Sequence, residues 1–266
     1  MWRIDPPAQT NVTDIYDTRA SAWWDFNDPI FEPLHAMVPA RLAYLDRHGI
    51  DVSGQRILDA GVGGGYVAET LAARGADVVG VDLAPGALAA ADHRLRASGR
   101  FQPGLASVTA LPVRDASVDV VVSTDVLVHV PEALGGAAAG IAEAARVLRP
   151  GGVFWFSTVN STALARFVLI TLGEDVLRIV HKGTHEPATF LSPARMQALC
   201  EEVGLEIVAR EGVGPVGLRR GHGGRPTLRM GRLPTTAVMW QGHAIKRTAS
   251  TARHSQARRG ASANAA

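Results

Sequence analysis

The stretch RILDAGVGGGYVAETLAARGADVVGVD, residues 56–82, decides the fold. It begins with a short apolar run, passes through a glycine-rich turn at 61–65, continues with helical spacing and ends in a second apolar run. Such a succession is typical of a βαβ unit, whose two strands lie parallel in one sheet. Glycines in the turn let the backbone approach a ligand closely, and the following helix offers free N–H groups. The segment therefore predicts a ligand site at the carboxyl edge of a parallel sheet.

The spacing within this segment indicates which ligand binds there. Asp82 lies 21 residues after Gly61, at the end of the second strand, where an acid accepts hydrogen bonds from a ribose diol. A dinucleotide fingerprint would place its third glycine at position 66, but this chain has Gly65 followed by Tyr66. Asp59 precedes the first glycine by two residues and suits a cofactor that carries an ammonium group. We therefore predict S-adenosylmethionine as the cofactor rather than a nicotinamide dinucleotide.

The rest of the chain continues the alternation of strands and helices. The apolar runs predict further strands at Val118–Ser123, Val153–Thr158, Leu205–Ala209 and Thr235–Ile245, and helices at Pro85–Ser98, Ile141–Leu148 and Ser192–Val203. We predict an α/β fold with a doubly wound, mostly parallel sheet. The expected organisation is an N-terminal helical elaboration at 1–53, a sheet domain at 54–246 with a helical insertion at about 160–190, and a disordered basic tail at 247–266.

Composition and charge narrow the class of protein. One cysteine, Cys200, excludes an internal disulfide and a cysteine-rich zinc site and favours a reducing cytoplasm. The N-terminus lacks the basic start and apolar run of a signal peptide, and no apolar stretch has the length of a transmembrane helix. Residues 212–266 carry 10 basic side chains and no acidic one. We interpret the last part of this segment, residues 247–266, as a solvated tail, and we expect no nucleic-acid partner.

Several segments resemble class I S-adenosylmethionine-dependent methyltransferases, whose sheet has seven strands with the last one antiparallel. The glycine motif, Leu111-Pro112 and Leu148-Arg149-Pro150-Gly151-Gly152 carry this resemblance. The chain is more specifically similar to the O-methyltransferases of ubiquinone biosynthesis, on the segments Ala20-Ser21-Ala22-Trp23-Trp24-Asp25, Pro33-Leu34-His35, Phe156-Ser157-Thr158-Val159-Asn160 and Lys182-Gly183-Thr184-His185-Glu186. This similarity covers about residues 11–212.

The resemblance and the motif together define a predicted cofactor site. The family's cofactor contacts fall on Arg41, Gly61, Asp82 and Thr124. Many members of the superfamily place an acid beside the adenine, but this chain has Ala106-Ser107-Val108-Thr109 there, so Ser107 or a backbone group must serve. The predicted cofactor-binding residues are Arg41, Asp59, Gly61, Gly63, Gly65, Asp82, Leu83, Ser107 and Thr124.

The family also carries a Glu-x-x-Glu-His motif after the fourth strand, which is interpreted as a divalent-metal site. This chain has Asp125-Val126-Leu127-Val128-His129 instead. Asp125 and His129 could ligate an ion such as Mg²⁺, but two side chains bind it weakly. A metal-free and a weakly metal-assisted enzyme therefore both stay open, with the former favoured.

Transfer of a methyl group to oxygen also requires a base for the hydroxyl proton. His129 is the first candidate, because an imidazole exchanges protons near neutral pH and this position follows the fourth strand. His185 and Lys182 of the insertion are further candidates for base and substrate anchor. Alternatively, His129 is a hydrogen-bonded histidine at the start of a helix, and His185 and Lys182 are surface residues without a catalytic role.

The predicted function is O-methylation of a phenolic or enolic hydroxyl on a hydrophobic, quinone-like small molecule. The insertion also has an apolar side that could contact a membrane surface peripherally, or pack on the sheet. A natural-product tailoring methyltransferase with an O-, N- or C-acceptor stays open, since Val128 replaces the second glutamate of the family. A nucleotide-binding oxidoreductase and a non-catalytic module are weaker alternatives. The oligomeric state is not predicted.

Overall fold

A computed structural model describes residues 16–176, 186–220, 224 and 226–248. Its eight strands are β1 (Arg56–Ala60), β2 (Asp77–Asp82), β3 (Phe101–Leu105), β4 (Val118–Thr124), β5 (Leu148–Val159), β6 (Leu205–Arg220), β7 (Pro226–Leu233) and β8 (Met239–Lys246). Its α-helices are α1 (Glu32–Arg47), α2 (Tyr66–Ala73), α3 (Pro85–Leu95), α4 (Gly136–Val147), α5 (Ala163–Arg166) and α6 (Pro193–Glu202). Short 3₁₀ turns at Ala20–Ala22, Arg96–Ser98, Leu127–His129, Glu132–Leu134 and Pro187–Thr189 complete the order.

All the strands form one sheet in the order β3-β2-β1-β4-β5-β8-β6-β7. Strands β1 to β5 pair in parallel, β8 is antiparallel to both β5 and β6, and β7 is antiparallel to β6. The doubly wound, mostly parallel α/β prediction is confirmed. The expected number of seven strands is wrong, since the described residues form eight.

The additional strand arises from the length of β6, which was predicted to end at Ala209 but continues to Arg220. Its second half pairs with β7. The first pair is Gly212 with Leu233, and the last is Arg220 with Pro226. The sequence concealed this pair because glycines and Pro215 interrupt the alternation that identifies a strand, and the register shifts between Pro215 and Gly217. Strand β3 was not predicted either, since it contains Pro103 and Gly104. Proline is tolerated there because β3 lies at the sheet edge.

The boundary between α4 and β5 also differs from the prediction. The helix was expected to include Leu148, with the strand beginning at Val153. In the structure Leu148 has extended dihedral angles and pairs with Val118, so β5 begins five residues earlier. The insertion after β5 is helical where it is described, as α5 followed by a π-helical segment at Phe167–Val176.

Successive residues of the central strands face opposite sides of the sheet and build two cores. Leu58, Val121 and Phe154 face the side covered by α4 and α6. Ile57, Val120 and Trp155 face the side covered by α1 and α2. Each of these six side chains is at most 4% exposed, and burial of such a side chain contributes roughly 1.5–3 kcal/mol. Helices on both faces explain the continuous valine run of β4, and they leave the loops at the carboxyl edge to form a site.

Within the described ranges, no helix is both long enough and apolar enough to span a bilayer.

Candidate active site

The glycine turn after β1 lies against the end of β2. The amides of Gly61 and Val62 both donate to the Val81 carbonyl, at 2.8 Å and 3.0 Å. Gly61 has a φ of +85°, and a Cβ atom there would lie 2.2 Å from a Val126 methyl group. Only glycine fits a left-handed position with so close a neighbour. The turn thus brings the loops after β1, β2 and β4 together, as the sequence predicted.

The carboxylate of Asp82 connects two of these loops. Its Oδ2 accepts from the Gly63 amide at 2.8 Å and its Oδ1 accepts from the Ala84 amide at 3.0 Å. Burial raises the pKa of Asp82, and the amide hydrogen bonds oppose that rise. An ionised carboxylate still has lone pairs for the two hydroxyls of a ribose, so the predicted role fits this position.

Asp59 is a buried carboxylate with one oxygen that is not hydrogen-bonded within the described ranges. It is 2% exposed, and its Oδ1 has no hydrogen-bond partner among the described residues. Burial raises the pKa of Asp59 to about 7, the positive charge of Arg41 opposes the rise, and the negative charge of Asp82 adds to it. Because an unpaired buried carboxylate is costly, a cation bound next to Asp59 would be strongly stabilised.

Arg41 reaches the same region from α1 and pairs with Asp125, which follows β4. Its side chain is 6% exposed, and its Nε has no partner within the described part of the chain. The other Asp125 oxygen accepts from the Ser157 hydroxyl at 2.8 Å, and the Asp125 amide donates to the Ser157 carbonyl. Asp125 has a φ of +60°, a strained conformation that is often found at functional sites. The sequence did not identify Ser157, although the end of β5 lies beside the end of β4.

The donor set after β4 does not fit a divalent metal. Both oxygens of Asp125 are engaged by Arg41 and Ser157. Val128 is buried in an apolar cluster with Val159 and Phe190. Across the described ranges, no group of three or more His, Cys, Asp or Glu side chains is placed to hold a metal ion. Mg²⁺ is bound in proteins through one or two carboxylates and several waters, and the single carboxylate after β4 already holds Arg41 and Ser157.

The N-terminal segment covers the glycine turn. The Trp24 indole donates to the Gly64 carbonyl at 3.1 Å, and the Tyr66 hydroxyl donates to the Trp23 carbonyl. The Trp23 ring lies so close that a Cβ atom on Gly63 would be 2.8 Å from it. The sequence identified Trp23 and Trp24 only as a family signature and did not place them on the cofactor turn.

Tyr16 and Asp17, which precede this tryptophan pair, belong to the same region, and no sequence pattern identified them. The Asp17 carboxylate accepts from the Gly86 amide at 2.7 Å, near the start of α3. Burial, together with the negative charges of Asp82 and Asp125, raises the pKa of Tyr16 to about 12. The Tyr16 carbonyl accepts from the Trp23 indole at 3.2 Å, so Tyr16 packs with the segment that covers the glycine turn.

The other predicted site residues are distributed around this edge. Leu83 directly follows Asp82, and Thr124 ends β4 beside Ser157 in register. The Ser107 hydroxyl lies 2.8 Å from that of Thr109, two residues after β3 ends. His129 ends the 3₁₀ turn after β4. Lys182 and His185 lie outside the described residues.

Comparison with known proteins agrees with this geometry. The family model described as "Methyltransferase domain" matches residues 58–156. The ubiquinone biosynthesis O-methyltransferase of Idiomarina loihiensis is 37% identical over 201 residues, which cover 74% of this chain and 80% of the relative. The protein of the same name from Burkholderia pseudomallei is 34% identical over 215 residues, 80% of this chain and 88% of the relative.

Solved structures share the fold. The magnesium protoporphyrin IX methyltransferase of Synechocystis PCC 6803, solved with bound S-adenosylhomocysteine, has a TM-score of 0.61. It is 19% identical, and the match covers 89% of this chain and 98% of that one. The chain is an S-adenosylmethionine-dependent methyltransferase and belongs to the ubiquinone biosynthesis O-methyltransferase family.

Proposed function

We propose that this enzyme transfers the methyl group of S-adenosylmethionine to a phenolic or enolic hydroxyl of a hydrophobic, quinone-like small molecule. The observation that carries the proposal is Asp59, whose buried carboxylate keeps one oxygen without a partner among the described residues. The α-ammonium of the cofactor supplies the cation that this oxygen lacks. Methyl transfer to oxygen follows from the relatives, which carry O-methyltransferase in their names.

The remaining predicted residues have distinct roles towards the cofactor. Asp82 accepts from the ribose hydroxyls, while the backbone of Gly61, Gly63 and Gly65 borders the methionine portion. Leu83 and Ser107 border the adenine, at the ends of β2 and β3. Arg41, with a buried Nε that has no described partner, and Thr124 bind the cofactor carboxylate. Arg41 can do so while it keeps Asp125, since a guanidinium has five N–H donors.

The reaction itself asks little covalent chemistry of the protein. The bond between the methyl carbon and the sulfonium sulfur breaks as the bond to the acceptor oxygen forms, and the hydroxyl proton passes to a base. We assign this base to His129, with His185 and Lys182 as further candidates from the insertion. The main contributions of the protein are to align acceptor and methyl group and to exclude water. The proposed reaction uses no metal, because the donor set after β4 does not fit one.

The acceptor is proposed to reach the site from a membrane surface, with the enzyme in the cytoplasm. The insertion supports such a peripheral contact, since Leu164 and Phe167 are 50% and 57% exposed. The lone cysteine, Cys200, is buried and free, which is compatible with a reducing compartment.

An acceptor panel tests the function. The full chain is incubated with methyl-labelled S-adenosylmethionine and a prenylated catechol, a demethylated quinol, an aromatic amine and a carbon nucleophile, each with and without EDTA. We expect label on the catechol or quinol oxygen at a rate that EDTA does not change. Label only on nitrogen or carbon would establish the tailoring alternative, and a rate abolished by EDTA and restored by Mg²⁺ would reject the metal-free chemistry.

A further inference from the structure

Helix α1 is tied to the antiparallel half of the sheet at three places. The side-chain amide of Gln241 in β8 donates to the Ala40 carbonyl at 3.4 Å. The Tyr44 hydroxyl donates to a backbone carbonyl of β6 at 3.2 Å. The Arg47 guanidinium pairs with Glu211 of β6. The three helix residues are spaced by four and three positions, so they share the face of α1 that lies on the sheet.

Glu211 and Gln241 form the buried centre of this contact. Both residues are buried, and the amide of Gln241 also donates to Oε1 of Glu211 at 3.0 Å. The Nε of Arg232 lies 3.4 Å from the other carboxylate oxygen. Replacement of a buried ion pair by apolar side chains is often neutral or stabilising. Stability of the fold alone therefore does not account for such a network.

The network is continuous with the active site along one row of the sheet. Glu211 pairs in register with Gln241, and Gln241 with Ser157 of β5. Residues paired in this way project from the same face of a sheet. The Ser157 hydroxyl holds Asp125, which pairs with Arg41. Since Gln241 binds the carbonyl of the residue before Arg41, the row holds this arginine both through its side chain and through its helix.

Helix α1 is weakened just before Arg41. Pro39 lies inside the helix, two residues before this arginine. A proline cannot donate the hydrogen bond to the carbonyl four residues earlier, and its ring clashes with that turn. The part of the helix that follows is the part tied to the sheet. The position of the Arg41 guanidinium therefore depends on the contacts that β6 and β8 make with α1.

We infer that Gln241 and Glu211 are positioning residues, which fix α1 so that the guanidinium of Arg41 meets the carboxylate of the bound cofactor. They act through Arg41 and not by contact with the cofactor. The inference rests on the proposed function, which assigns the cofactor carboxylate to this arginine. A planar guanidinium binds a carboxylate through two parallel hydrogen bonds, so a small shift of the helix lowers the affinity.

Two ligands that differ in their amino-acid portion test this positioning. S-adenosylhomocysteine carries the carboxylate, whereas methylthioadenosine has the same nucleoside and a thioether without it. Calorimetry with the full chain measures both affinities. Q241M keeps the length of the side chain without its donor, and E211Q keeps its shape without the charge. We expect each variant to weaken S-adenosylhomocysteine about tenfold, the order of effect of one lost hydrogen bond, and methylthioadenosine by less than about twofold.

Two further variants serve as control and as a test of coupling. D46N is the control, because Asp46 also lies in α1 but pairs with Arg74 on the exposed side, and both affinities should stay within about twofold. R41Q should weaken only S-adenosylhomocysteine. The double variant R41Q/Q241M should bind it no more weakly than R41Q, because positioning has no effect once the guanidinium is gone.

Three results would overturn the inference. They are equal weakening of the two ligands in Q241M and E211Q, unchanged affinity for S-adenosylhomocysteine in both variants, and additive effects of R41Q and Q241M. If R41Q is selective between the ligands but Q241M and E211Q are not, the positioning role fails and the proposed function stands. If R41Q weakens both ligands equally, the assignment of Arg41 in the proposed function fails and the inference fails with it.

Discussion

The two halves of the sheet build their parts of the enzyme in different ways. In β3-β2-β1-β4, parallel strands end in loops that meet at the carboxyl edge, where the carboxylate of Asp59 is buried and that of Asp82 is half-buried. In β5-β8-β6-β7, antiparallel pairs continue past the edge and expose leucine and arginine side chains. We propose that the first half forms the cofactor site, whereas the second half presents exposed side chains beyond it. The comparison indicates that parallel pairing brings polar side chains together at the carboxyl edge, whereas antiparallel pairing carries the chain past it.

Removal of the Asp82 charge is expected to weaken cofactor binding more than any other change described below. We expect D82N to weaken S-adenosylhomocysteine binding by about 100-fold or more, since hydrogen bonds to a charged group contribute about 1.5–3 kcal/mol each. Isothermal titration calorimetry measures the effect. D77N is the matched control, because Asp77 lies in the same strand but is exposed at the opposite edge. Equal losses in the two variants would contradict the assignment of Asp82.

A change at His129 separates acceptor activation from cofactor binding. We expect H129Q to lower kcat by about 100-fold, the contribution of a positioned general base, while the affinity for S-adenosylhomocysteine stays within about twofold. The rate loss should also become smaller as the pH is raised and more of the phenol ionises by itself. If kcat were unchanged in H129Q, His129 would not be the base, and His185 or Lys182 would be the remaining candidates.

An alanine in the glycine turn tests whether the N-terminal segment packs against that turn. G63A places a Cβ atom against the buried Trp23 ring, whereas G54A adds one at a φ of +68° with no neighbour within 4 Å. Both variants carry the strain of a left-handed alanine, about 1–3 kcal/mol, but only G63A adds the cost of overpacking, about 1–3 kcal/mol more. Thermal unfolding of the two proteins measures the difference, and equal destabilisation would place Trp23 elsewhere.

The two halves also differ in how far the sequence predicts them. Residues 56–82 identified the turn, Asp59 and Asp82, because these features depend on short-range spacing. The pairing of Arg41 with Asp125 was beyond prediction, since 84 positions separate the two residues and only tertiary packing joins them. Asp125 itself was proposed as a metal ligand, and its engagement by Arg41 and Ser157 depends on that same packing. Strand β7 was missed because glycine and proline interrupt the strand alternation there.

The pH dependence of cofactor binding tests the central claim that Asp59, whose Oδ1 has no partner among the described residues, is the cation site. The pKa of about 7 lies above the ordinary value of 3.8, so ionisation of Asp59 destabilises the cofactor-free protein as the pH rises between these values. The ammonium requires the ionised form, so affinity for S-adenosylhomocysteine should fall below about pH 7, by up to tenfold per unit. D59N should bind more weakly and lose this dependence. Calorimetry from about pH 8 to about pH 5.5 that shows the same pH dependence in wild type and D59N would contradict the claim.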